Sequence, residues 1–70
     1  MKGTKEETLA VMEILAVKGK SVKRKDLVPI LGTARAHEFI CELFIGRGAA
    51  ASDEIIKTAA TKVIKTMRGE

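Results

Sequence analysis

Seventy residues with one cysteine are enough for one domain, 1–70, and leave no internal disulfide and no four-ligand zinc spacing to brace it. Thirteen Lys and Arg against nine Asp and Glu give a formal charge of +4, while 46% apolar residues set the chain apart from a disordered tail. No apolar run approaches a membrane span, no apolar signal core follows the charged start Met-Lys-Gly-Thr-Lys-Glu-Glu, and a lone cysteine suits a reducing compartment, so the chain reads as cytoplasmic.

In chain order, Thr4 and Glu7 come first and have capping-box spacing, with Glu6 also in the first turn, where a helix dipole favours negative charge. The pattern predicts a helix from residue 4 to 17 or 18, ended by Gly19. From Leu9 to Val17 the only polar residue is Glu13, so Val11, Met12, Ile14, Leu15 and Val17 nearly encircle the helix. Such a helix needs neighbours on several sides. A central place within one chain supplies them, and so does a second subunit, which makes Val11, Met12, Ile14 and Leu15 a candidate interaction surface. A chain this short buries only about 60% of the surface its unfolded form exposes, so self-association, with a homodimer as the simplest case, is the expected source of further stability.

The segment 18–25 carries Lys18, Lys20, Lys23, Arg24 and Lys25 with no acid among them. Cations clustered in this way displace condensed counterions at DNA or RNA phosphates, although the same run also serves as a solubilising loop. No aromatic residue interleaves them, so a single strand finds no stacking platform and a duplex is the better partner. Asp26 can cap a short helix over 27–31, with Pro29 in its first turn and Gly32 ending it. Capping at Ser21 instead would place Pro29 deep in a helix interior.

Thr33 and Gly46, an N-cap type and a C′ type, bound the stretch around which the rest can be organised. Ala36, Phe39, Ile40, Leu43 and Phe44 recur at three- and four-residue intervals and form one apolar stripe. It contains both aromatic residues of a chain without Trp or Tyr, so the core is expected to take Phe39 and Phe44. Arg35, Glu38 and Glu42 fall on the opposite, solvated face. The density of apolar residues over 39–45 also permits a buried strand. Arg47-Gly48-Ala49-Ala50-Ala51 reads as a small-residue connector, and Ser52 with Asp53 and Glu54 opens a last helix. There Ile55, Ile56, Ala59, Ala60, Val63, Ile64 and Met67 fill one side, Lys57, Lys65 and Arg68 the other, and Lys62 stands towards the edge, with Gly69 as terminator.

The expected fold is all-α, a small bundle of three or four short helices. Short helix, Gly turn and longer helix together have the outline of a helix-turn-helix, with Leu27, Leu31, Gly32 and the helix from Thr33 placed roughly as that pattern requires. Pro29, Val28 and Glu38 depart from it. On this reading the chain is a small DNA-binding regulator: Lys20, Lys23, Arg24 and Lys25 hold the backbone of double-stranded DNA and Arg35 reaches base edges. Glu38 and Glu42 oppose it unless they accept from cytosine amino groups. The alternative is a helical adaptor or inhibitor that docks on a protein partner through the apolar face of 9–17. His37 and Cys41 share one helix edge, but two ligands are too few for a metal, and Cys41 is more simply a small hydrophobe. Gly46-Arg47-Gly48 resembles an anion-binding turn whose positive end Asp53 and Glu54 already occupy. No cofactor and no enzymatic activity are expected.

Overall fold

A computed structural model describes residues 4–69. Helix α1 (Lys5–Lys18) leads through a 3₁₀ turn (Gly19–Ser21) into α2 (Arg24–Leu31) and α3 (Thr33–Phe44); a second 3₁₀ turn (Arg47–Ala50) precedes α4 (Asp53–Arg68). The all-α expectation is met with four α-helices, and no strand occurs among the described residues. Residues 39–44 lie within α3, which removes the extended alternative.

Local chemistry accounts for most of the boundaries. Thr4 Oγ1 accepts the Glu7 N–H at 3.1 Å and opens α1. Gly19 closes it at φ 55°, ψ −128°, a conformation that disfavours any side chain, and a Cβ there would collide with the Asp53 carboxylate. Ser52 Oγ accepts the Ile55 N–H at 3.2 Å and opens α4.

Three boundaries differ from the sequence reading. Helix α2 begins at Arg24, with Lys23 as its N-cap, and Asp26 stands at the third helical position. From there its Oδ2 reaches back to accept the Lys23 N–H at 2.9 Å, so Asp26 supplies the reciprocal half of a capping box instead of the cap itself. Pro29 therefore lies beyond the first turn. It is exposed, and the helix ends two residues later, so its missing N–H interrupts little. Gly32, at φ 85° and ψ 163°, replaces Thr33 as the N-cap of α3, because only a residue without a Cβ readily turns the chain between two helices in one step. At the far end, Gly46 does not adopt a left-handed conformation; its N–H and that of Ile45 both reach the Cys41 carbonyl, at 2.9 and 2.8 Å.

The core consists of Val11 and Leu15 from α1, Val22, Leu27 from α2, Ala36 and Leu43 from α3, and Ala60 from α4. Helix α1 packs along α4, α2 packs on α3, and α2 also touches α1. The α1–α4 pair is antiparallel: Lys20 meets Asp53 at one end and Glu13 meets Arg68 at the other. Within one chain, Val11 and Leu15 point into the core, while Met12 and Ile14 are partly buried against it. The apolar girdle of α1 is thus largely covered by its own neighbours, and Val17 is left 76% exposed.

The aromatic expectation is corrected in part. Phe39 packs against the core, but Phe44 is 42% exposed. Leu43 takes the inward position at the end of α3, and the Phe44 ring lies beneath the Lys20 ammonium, 5.6 Å from its centroid.

Candidate functional site

The basic segment spans the end of α1, the first 3₁₀ turn and the start of α2, and its cations meet different fates. Lys18 Nζ donates to Asp26 Oδ2 at 3.1 Å. Lys20 turns inward. Its backbone N–H donates to Asp53 Oδ1 at 2.8 Å, and its ammonium donates to the carbonyls of Gly48, Ala49 and Ala51 at 3.2, 3.2 and 3.0 Å. A short turn leaves carbonyls without helical partners, and an ammonium with three donors satisfies three of them. Lys20 is therefore a structural tie between the first and second 3₁₀ turns, which corrects its assignment to a DNA-facing set.

These contacts also set two carboxylates. The Lys20 N–H, followed by the Lys57 ammonium at 3.2 Å, holds Asp53 below the ordinary 3.8. The Lys23 N–H and then Lys18 do the same for Asp26.

Arg35 is also engaged. Its Nη2 lies 2.8 Å from Glu7 Oε1, which ties α3 to the first turn of α1, and its side chain is 37% exposed. The approach is close but badly aligned, so the occluded Oε1 accepts no hydrogen bond. Arg35 thus sits against α1 instead of standing on the outer face with Glu38 and Glu42, and reading a base edge would require breaking this pair. The outer side of α3 presents Thr33, Ala34, His37, Glu38 and Glu42. One residue, Gly32, separates α2 from α3, whereas a helix-turn-helix uses a turn of about 3–4 residues.

Lys23, Arg24 and Lys25 are left. All three are exposed at the N-terminus of α2, and none forms an ion pair with a carboxylate among the described residues. Arg24 Nη1 lies 3.3 Å from His37 Nδ1, and His37 Nε2 lies 3.5 Å from Cys41 Sγ. A guanidinium only donates, so a hydrogen bond from Arg24 needs a bare Nδ1 and places the proton of a neutral His37 on Nε2, facing the sulfur. In that tautomer His37 cannot take the thiol proton at Nε2. A metal ion would meet the Arg24 cation, and among the described residues no three His, Cys, Asp or Glu side chains converge. The cluster thus serves to join the basic corner of α2 to the edge of α3.

Of the four apolar residues assigned to an interaction surface, Val11 and Leu15 are 3% and 5% exposed and lie inside the folded monomer, while Met12 and Ile14 are partly buried. The apolar surface that remains near α1 is an open groove between α1 and α3. Val11, Met12, Leu31 and Phe39 form its floor, Glu7, Arg35, Glu38 and Glu42 stand at its rim, and its volume is about 370 Å³. Sequence patterning missed this groove because its floor mixes one side of α1 with one side of α3. Comparisons with known protein families, with curated proteins and with solved structures find no match.

Proposed function

We propose that the chain is a small basic regulator that holds double-stranded DNA by its phosphate backbone, with Lys23, Arg24 and Lys25 as the contact. One observation carries this reading: three consecutive exposed cations, unpaired with any acid among the described residues, stand at a helix N-terminus whose dipole adds further positive potential. Asp26, the nearest carboxylate, is already matched by Lys18. Base reading has little part in this proposal, because Arg35 faces Glu7 and the outer side of α3 offers carboxylates. Affinity should follow charge more than sequence.

The test is an anisotropy titration of a labelled mixed-sequence duplex at two salt concentrations. Three neutralised phosphates correspond to a slope of about −2.7 in log affinity against log salt. Replacing Lys23, Arg24 and Lys25 by Ala is expected to weaken binding at least about tenfold and to remove most of that slope. Unchanged affinity in the triple variant rejects the reading. A second reading, a helical module that docks on another protein, is favoured by the open apolar groove between α1 and α3.

A further inference from the structure

We infer that the groove between α1 and α3 receives a basic amphipathic helix from a partner protein. This deepens the docking reading and does not depend on DNA binding. The floor is apolar and adaptable: Phe39 and Leu31 are partly exposed, and Met12, unbranched and polarizable, can reshape around an incoming side chain. A volume of about 370 Å³ lies near the lower limit, about 300 Å³, of enclosed small-molecule sites. The groove is open, and a helix laying down side chains at three- and four-residue spacing suits such a shape.

The rim selects the sign of the occupant. Glu7, Glu38 and Glu42 stand against Arg35 alone, an excess of negative charge on a chain whose overall charge is positive. Lys and Arg flanking the apolar stripe of a partner helix would meet Glu38 and Glu42, both exposed, whereas phosphates would be repelled. A second copy docking groove to groove is disfavoured as well. A two-fold contact uses the same patch on both copies, so it would bring the same carboxylates together. A basic helix answers both the apolar floor and the acidic rim.

The probe is a fluorescein-labelled helical peptide with Leu at i, i+4 and i+7 and Lys at flanking positions, compared with the same peptide carrying Glu in place of Lys. The full-length chain is expected to bind the Lys peptide with micromolar affinity and to ignore the Glu peptide, with NMR shifts concentrated at Met12, Leu31 and Phe39. A Glu38→Lys/Glu42→Lys variant should lose about tenfold or more in peptide affinity while its circular dichroism is unchanged and its duplex affinity is equal or higher. Because both positions are exposed, this variant tests the groove even if Phe39→Ala fails to fold. The inference is overturned if the Lys peptide does not bind, if both peptides bind alike, or if the shifts fall elsewhere. It is also overturned if light scattering finds a dimer of the free chain that the Glu-to-Lys variant splits, which would make a second copy the occupant.

Discussion

At the scale of single residues, Lys20 shows why a cation count is a poor guide to a binding surface. It belongs to the densest basic run of the chain, yet its ammonium is spent on carbonyls 28 to 31 residues further on. Replacing it with Ala removes three donors from carbonyls that depend on them and uncovers the Phe44 ring. Lys20→Ala is expected to cost about 1–2 kcal/mol in urea unfolding and to leave duplex affinity nearly unchanged. Lys23, Arg24 and Lys25 should show the opposite pattern, with binding reduced and stability kept, since they make no ion pair with the rest of the described chain. Measuring both quantities on both variants separates structural from contacting cations. Arg35 belongs with Lys20, held by Glu7 where a sequence reading placed it in solvent.

At the scale of elements, helix starts are the most legible feature, and each boundary error has a local cause. Thr4 and Ser52 cap as expected because a hydroxyl three residues before an N–H needs nothing else from the fold. The start of α2 was obscured because its cap, Lys23, has no side-chain acceptor, and Asp26 does its work from inside the helix. Asp26 and Asp53 also make the elements sensitive to acid. Both have a folded pKa held below 3.8, so each adds stability that is fully present above the unfolded value and is lost as pH falls through the lower folded value. Asp53→Asn is therefore expected to lower the Tm at neutral pH. The gap to the parent chain should narrow below about pH 4 and close under more acid conditions, as the parent carboxylate protonates. A gap that stays constant with pH would show that Asp53 acts by packing alone.

At the scale of the whole molecule, stability rests on a small set of side chains, with Leu27 at its centre at 0% exposure. Alanine there opens a cavity among Val11, Leu15 and Ala36, and Leu27→Ala is expected to cost about 2–5 kcal/mol by denaturant unfolding, enough to threaten a chain of 70 residues. A much smaller loss would mean that the helices re-close over the gap.

The sequence by itself determined the helical class, most helix limits and the one cationic run, because caps, periodicity and charge clustering act over three or four residues. Only the tertiary structure decided which cations remain free, that Val11 and Leu15 turn inward, that Phe44 stays outside, and that α1 and α3 leave an acidic-rimmed groove between them. Those outcomes depend on which distant segment a side chain meets. A hydrogen bond or a buried face is shared between two parts of the chain, and its partner cannot be read from either part alone.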